Sequence, residues 1–335
     1  MGLKVAIIGC GLIGQKRASA LGAAELAVTC DVIPERAAAL ARTVKDCKTA
    51  VNWETAVTSP SIDIVVIATT HDLLAPIAAA AAANSKHVLI EKPGARSSAE
   101  LDCVAEAAAR TGVSVRVGFN HRYHRALRKA REVFDSDLLG PLMFIRGRYG
   151  HGGRIGYDKE WRSRPEISGG GELIDQGMHL IDLARWFLGD FVKVQGSIAT
   201  FYWDMPVEDN GFLLLETAQG QTAFLHASCT EWKNLFSLEI YGRNGKLEIN
   251  GLGGSYGPER LAYYQMLPQM GPPPTTIWEY PMPDDSWQAE FQDFLEDIRL
   301  GRQPDPGIAA AQASLRVVET VYAEAEKRTV IAESR

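Results

Sequence analysis

The chain has 335 residues, 46% hydrophobic and 23% charged, with mean hydropathy −0.10, so it is longer than most single cores and points to two domains. A formal net charge of −6 excludes a basic field for nucleic acid or an anionic membrane, and the basic run at 121–131 falls on a helical pattern suited to a solvated face or a phosphate contact. Five cysteines, at 10, 30, 47, 103 and 229, show no CxxC spacing and no nearby histidine pair, which argues against structural zinc and for a reducing compartment.

The N-terminal run MGLKVAIIGCGLIG is apolar but interrupted by glycines, so it reads neither as a signal peptide nor as a membrane span. Gly2 does not meet the myristoylation pattern, because position 6 is alanine. The expectation is a cytoplasmic protein.

Residues 4–9 (KVAIIG), 26–31 (LAVTCD), 63–69 (DIVVIAT), 87–91 (HVLIE) and 114–119 (SVRVGF) are predicted strands buried on both faces. The stretches QKRASALG, PERAAALARTV, LLAPIAAAAAA and SAELDCVAEAAART are predicted helices, with Pro34 in a first turn and Ser97 or Ser98 as an N-cap. Strands alternating with helices imply an α/β class with a doubly wound parallel sheet, a Rossmann domain over 1–121.

Gly9-Cys10-Gly11-Leu12-Ile13-Gly14 is a GxGxxG that follows a predicted strand and opens a helix. Gly9 allows the tight turn, Gly11 lets backbone approach a pyrophosphate, and Gly14 lets helix and strand pack closely. The N–H groups of Leu12 and Ile13 then lie at a positive dipole end. The second strand ends at Asp31, 22 residues after Gly9, where a carboxylate accepts from a ribose 2′-hydroxyl. The expected cofactor is therefore NAD in preference to NADP, since a 2′-phosphate meets a like charge at Asp31; Arg36, one turn into the next helix, would tolerate that phosphate.

Glu91-Lys92-Pro93 follows the HVLIE strand, at the carboxyl edge where open α/β sheets bind ligands. An ammonium there stabilises an alkoxide or polarises a carbonyl, although the tripeptide alone also reads as an exposed turn. Pro93 confines Lys92 to extended geometry and permits a cis bond.

The second domain, 122–335, carries a predicted helix over 172–187 and strands at 192–203, 211–218, 221–230, 235–242 and 246–250. Gln219-Gly220 and Asn244-Gly245 are turn signals, so this sheet reads as antiparallel. Stretches 251–258 and 268–274 read as loops, and helices at 286–300 and 307–328 close the chain, the last one packing back towards the first domain. Within Gly169-Gly170-Gly171-Glu172-Leu173-Ile174-Asp175-Gln176-Gly177-Met178-His179, Asp175 and His179 are four apart and share a helix face. They read either as a surface ion pair or as a base oriented by a carboxylate, with Asp182 a second partner for the histidine. The three glycines favour the second reading, because they let a ligand approach. Trp161-Arg162 reads as a cofactor contact or as an aromatic anchor with a surface arginine.

On GCGLIG at 9–14, HVLIEKP at 87–93, VGFNHRYHRAL at 117–127 and GGGELIDQGMHLIDLARWFLG at 169–189, the sequence resembles the Gfo/Idh/MocA oxidoreductases, which include glucose–fructose oxidoreductase and inositol dehydrogenase. The resemblance covers most of the chain. It implies a Rossmann domain followed by an α/β domain with a large, mostly antiparallel open sheet, and a homo-oligomer, dimer or tetramer, through that sheet. It also implies a catalytic trio at Lys92, Asp175 and His179, with His179 as acid/base, Lys92 tuning the reacting hydroxyl and Asp175 positioning substrate and histidine.

By the same resemblance Glu91, Trp161 and Arg162 lie near the cofactor, and Thr69 belongs to its wall. That wall departs from the family pattern at Thr69-Thr70-His71, at Leu74 and at Ser85, which leaves His71 open as a substrate or ribose contact without making it an expected site residue. No metal is expected. The implied activity is hydride transfer between nicotinamide and a carbinol or carbonyl carbon of a sugar, inositol or sugar nucleotide. Asn120, Arg122, Tyr123, Asp209, Asn210, Trp232 and the loop 251–257 are candidate contacts for that polyhydroxylated substrate. The alternatives are a non-catalytic dinucleotide sensor, and a hydrolase or lyase that oxidises its substrate transiently.

Overall fold

The computed structural model describes residues 2–269 and 271–333, with side chains through 327. The chain forms two units: one takes residues up to Asn120 with Glu166–Gly169 and Trp287–Ala313, and the other takes His121–Pro165, Gly170–Ser286 and the chain from Ser314 onward. The first break thus falls at Asn120. The segment 287–313, which sequence reading places in the second domain, belongs to the first unit.

In the first unit six parallel strands run in the order β3-β2-β1-β4-β5-β6: β1 (Lys4–Ile8), β2 (Glu25–Cys30), β3 (Lys48–Ala50), β4 (Ile64–Ile67), β5 (His87–Glu91) and β6 (Val115–Gly118). Helices α1 (Leu12–Ser19), α2 (Pro34–Ala41), α3 (Trp53–Thr58), α4 (His71–Ala83) and α5 (Glu100–Thr111) alternate with them. The short β3 and α3 carry too few apolar residues to show a period, so the sequence reading has five strands rather than six. Pro34 opens α2, and Ser97 Oγ accepts from the Glu100 N–H at 3.4 Å at the start of α5. The central strands are apolar on both faces. One face packs Val5, Ile7, Ile64, Val66 and Leu89 against Phe291 and Phe294 of α9 (Ser286–Leu300), and α4 lies against β4 and β5.

Helix α9 is also held by charge. Arg17 of α1, fully buried, reaches Glu91 at the end of β5 (2.6 Å) and Glu290 of α9 (2.5 Å), with the Trp287 ring 4.4 Å from its guanidinium. Arg116 of β6 pairs with Asp293 (2.9 Å) and Asp297. Glu290, Asp293 and Asp297 are three and four residues apart, so they form one acidic stripe facing two buried arginines.

The second unit holds eight strands in the order β14-β13-β12-β11-β7-β10-β9-β8. These are β7 (Leu142–Gly150), β8 (Phe191–Ala199), β9 (Asn210–Thr217), β10 (Thr222–Ser228), β11 (Leu235–Gly242), β12 (Gly245–Asn250), β13 (Glu259–Gln265) and β14 (Thr275–Tyr280). Pairing is antiparallel except between β7 and β10. Helices α6 (Arg125–Asp135), α7 (Pro165–Ser168), α8 (Met178–Leu188) and α10 (Ile308–Glu333) complete the chain, α7 and the start of α10 counting with the first unit.

The sequence reading lacks β7, β13 and β14. Strand β7 lies at the centre of the sheet, alternating buried Ile145, Gly147 and Tyr149 with Arg146 and Arg148, and a Cβ at Gly147 would meet Leu180 of α8 at 3.1 Å. Helix α8 therefore lies directly on the sheet. Ahead of β9, the buried Asp209 carboxylate accepts from the N–H groups of Phe201 (2.9 Å), Tyr202 (2.7 Å) and Trp203 (3.0 Å). Burial works against its charge, but these bonds and the Asn210 amide outweigh it and depress its pKa.

Two outcomes test this account. Arg17→Ala leaves two carboxylates buried without their cation and is expected to cost about 3–5 kcal/mol in urea unfolding; a loss below about 1 kcal/mol contradicts the anchoring role. Asp209→Asn is expected to cost about 2 kcal/mol near neutral pH. Because the folded pKa is depressed below the ordinary 3.8, that difference is present above this value and shrinks as pH falls beneath it.

Candidate functional site

The glycine loop leaves β1 at the point where the strand order reverses between β1 and β4, the crevice where open α/β sheets bind ligands. Gly9 has φ +91°, and a Cβ there would lie 2.3 Å from the Ala68 carbonyl oxygen; a Cβ on Gly14 would lie 1.9 Å from the Gly9 oxygen. At Gly11 nothing approaches within 4 Å of such a Cβ. Gly11 caps α1 with no side-chain hydrogen bond, and Leu12 is 71% exposed. Two glycines are thus needed for packing, and the third opens bare backbone at a helix start. That geometry fits a dinucleotide pyrophosphate held by the N–H groups of Leu12 and Ile13.

Asp31 follows β2 and accepts from the Cys10 N–H (2.7 Å) and the Ile33 N–H (2.8 Å), which fixes its carboxylate beside the glycine loop. Each oxygen keeps a second lone pair for a ribose hydroxyl. Arg36 is exposed in the first turn of α2, and Thr69 is half-buried after β4. Burial first, and then Asp31, pushes the Cys10 thiol up to about 12, so it behaves as a small apolar residue and not as a nucleophile.

Lys92 is half-buried at the carboxyl end of β5, and its bond to Pro93 is cis. Glu91, expected beside a cofactor, is committed to Arg17. His71 sits in the first turn of α4, buried, with Nδ1 2.8 Å from the Ser168 carbonyl.

In the second unit the predicted helix over 172–187 begins as a π-helical turn, Leu173–Gly177, that runs into α8. The three preceding glycines require a different explanation from the one the sequence offers. A Cβ on Gly169 would lie 2.8 Å from Arg96, one on Gly170 2.1 Å from the Tyr322 hydroxyl, and one on Gly171 2.0 Å from the Glu208 carbonyl oxygen. They admit other parts of the protein rather than a ligand.

Asp175 and His179 are both buried, at 4% exposure. Asp175 accepts from Arg162 Nε (2.8 Å), and that arginine lies over the Trp161 ring (4.5 Å). Burial disfavours the Arg162 charge, but Asp175 more than compensates and raises its pKa. Arg162, expected near the cofactor, thus clamps this carboxylate. His179 stacks on His121, with ring centroids 3.6 Å apart. Tyr149 of β7 stands edge-on to both imidazoles, at 5.0 Å and 5.9 Å. Burial, followed by Tyr256, Asp175 and Glu172, pushes the Tyr149 phenol well above its ordinary range, so it stays a donor. Neither His121 nor Tyr149 is a site residue in the sequence reading. His121 lies within the GFNHRY motif, whereas Tyr149 lies on the strand that reading lacks.

Asp182, a second partner for His179 by sequence, is engaged by another residue. It takes a two-bond contact from Arg122, Nε at 2.8 Å and Nη2 at 2.6 Å, in a buried pair. Arg122, a substrate candidate by sequence, is therefore a structural anchor. Asp209 and Asn210 also face inward, Asn210 bonding Asp209, Thr230 and His226. Asn120 is buried and Tyr123 half-buried, on the turn between β6 and α6. Trp232, 76% exposed, stands edge-on to Tyr202. Loop 251–257 turns on glycines of positive φ and presents Tyr256 to Tyr149, ring centroids 5.5 Å apart. Potential metal-ligand atoms converge at His124, Glu259 and Asp284, where the His124 ring is already hydrogen-bonded to Glu259 (2.8 Å) and the Ala126 N–H donates to that carboxylate.

Residues 3–119 match the family model described as oxidoreductase family, NAD-binding Rossmann fold, and residues 127–248 match the GFO/IDH/MocA C-terminal domain. The chain belongs to the Gfo/Idh/MocA oxidoreductase family. It is 30% identical over 231 residues to the levoglucosan dehydrogenase of Pseudarthrobacter phenanthrenivorans, which spans 65% of this chain and 59% of that relative. It is 23% identical over 319 residues to the inositol 2-dehydrogenase of Salmonella typhimurium, covering 91% of this chain and 88% of that one. A solved levoglucosan dehydrogenase in complex with NADH and levoglucosan superposes with TM-score 0.89 at 24% identity, covering 98% of each chain. The first unit is thus the NAD-binding Rossmann fold of a Gfo/Idh/MocA oxidoreductase. Among the described residues no helix is long and apolar enough to cross a membrane.

The glycine roles separate in one experiment. Gly11→Ala is expected to leave the thermal midpoint within a few degrees while weakening NADH binding about tenfold, by fluorescence titration, because its Cβ enters the pyrophosphate space. Gly14→Ala is expected to lower the midpoint itself. The reverse pattern contradicts the assignment.

Proposed function

We propose that this protein is an NAD-dependent dehydrogenase that oxidises a carbinol of a sugar-like or cyclic polyol substrate, with Lys92, Asp175 and His179 as its catalytic groups. One observation carries the reading. Asp175 and His179 are buried on consecutive turns, the carboxylate clamped by Arg162 and the imidazole backed by His121, an arrangement that holds a carboxylate and an imidazole in fixed positions out of bulk water. Relatives named for levoglucosan and inositol lend the substrate class.

The bound dinucleotide supplies the hydride acceptor. His179 takes the hydroxyl proton as the carbinol is oxidised and returns it in the reverse direction. The Lys92 ammonium steadies the developing alkoxide. Asp175 receives a substrate hydroxyl or orients the imidazole, its position set by Arg162. Asp31 accepts from the ribose 2′-hydroxyl and repels a 2′-phosphate, favouring NAD over NADP. Thr69, Trp161, Asn120 and Tyr123 remain candidate contacts to cofactor or substrate. The outward face of the second sheet, with Leu214 and Phe224 exposed by 46% and 49%, supports assembly into a homo-oligomer.

The test is NADH formation from levoglucosan, myo-inositol and D-xylose with the full chain. His179→Ala and Lys92→Ala are each expected to lower kcat about a hundredfold or more. Full turnover in either variant removes that residue from catalysis. Product without net NADH would establish transient oxidation instead. Asp31→Ala is expected to shift the NAD/NADP preference about tenfold toward NADP; an unchanged ratio contradicts the ribose role.

A further inference from the structure

We infer that Glu208 is a positioning residue for the Asp175–His179 pair, a role that rests on the reading above. Glu208 precedes β9 and is buried at 6% exposure. Its carboxylate accepts from the Gly171 N–H through Oε2 (3.0 Å) and from the Leu173 N–H through Oε1 (3.0 Å), while its own carbonyl accepts from the Glu172 N–H (3.0 Å). Three successive N–H groups at the start of the catalytic helix are therefore satisfied by one residue. The Tyr322 hydroxyl of α10 donates to the same Oε1 at 2.7 Å and fixes the carboxylate from the other side.

A helix start needs acceptors for its first N–H groups, and a neighbouring serine or aspartate usually supplies one. A local cap of that kind fixes a helix only to itself. Glu208 belongs to another element, so its bonds set the height and rotation of the π-helical turn against the sheet. The packing leaves little slack: Gly171 and Gly170 meet the Glu208 carbonyl and the Tyr322 hydroxyl so closely that neither tolerates a Cβ. The Asp175 N–H donates to the Gly171 carbonyl at 3.1 Å, so the anchored residue is one hydrogen bond from the catalytic carboxylate's backbone. His179 follows four residues later on the same continuous helix.

Burial raises the Glu208 pKa, opposed by these hydrogen bonds.

Glu208→Gln keeps the shape but replaces one accepting oxygen with an amide that cannot accept. In the full chain, with the polyol oxidised fastest in the screen above, it is expected to lower kcat about tenfold or more while KM for NAD stays within about twofold. Tyr322→Phe, which keeps both backbone bonds, is expected to lower kcat about threefold.

A substrate-free measurement accompanies these: the imidazole nitrogen signals of His179, assigned by their loss in His179→Asn, are expected to shift in Glu208→Gln. A folded Glu208→Gln with kcat within about twofold of the parent and unshifted His179 signals overturns the proposal, as does a loss of kcat matched by an equal loss of NAD affinity. If Glu208→Gln does not fold, Tyr322→Phe decides, and an unchanged kcat there overturns it. Retained turnover in His179→Ala would instead refute the functional reading itself. An inactive His179→Ala beside a fully active Glu208→Gln removes only the positioning role.

Discussion

The N–H groups at a helix start need acceptors, and this chain meets that need in two opposite ways. At α1 the glycine loop gives no side-chain cap, and bare backbone faces the crevice beyond β1. That arrangement suits a ligand that brings its own anionic oxygens. At the helix bearing Asp175 and His179 the need is met internally, Glu208 accepting from the N–H groups of Gly171, Glu172 and Leu173. One helix start is left open to an anionic ligand. The other is held from outside its own turn by a residue of another element.

The same economy governs charge. Arg17, Arg116 and Arg122 are all buried, and each holds carboxylates from elements remote in sequence: Glu91 and Glu290, Asp293 and Asp297, and Asp182. Buried ion pairs add little net stability, but they punish every arrangement that leaves a charge alone. Their effect here is to specify which face of α9 meets the Rossmann sheet and which face of α8 meets the turn after β6. Arg162 does the same for Asp175, with the difference that the restrained carboxylate belongs to the candidate chemistry.

The first unit was legible because its signals are local. Apolar β-branched runs, alanine-rich helices and the Gly9–Gly14 spacing each report on a neighbourhood of a few residues. The helix bearing Asp175 and His179 was legible for the same reason, since the two residues are one turn apart. What escaped depends on partners far along the chain. Strand β7 alternates arginine with apolar residues and looks like a surface strand until α8 covers one side. Glycines 169–171 read as room for a ligand, but the fold shows that Arg96, Tyr322 and Glu208 are what approaches. Arg122 and Glu91 looked like ligand contacts because sequence cannot reveal that Asp182 and Arg17 already claim them. The Glu208 anchor has no local signature at all.

The return of segment 287–313 to the first unit has a consequence for synthesis. A chain made from its N-terminus presents residues 1–120 long before α9 exists. Until then the sheet face that will meet Phe291 and Phe294 has no cover, and Arg17 and Arg116 await the carboxylates of α9. That face of the nascent first unit therefore stays uncovered while the whole second sheet is translated. A gene cut after the sixth strand would not release a free-standing cofactor module, and exchanging such modules between relatives would require carrying the distant helix along.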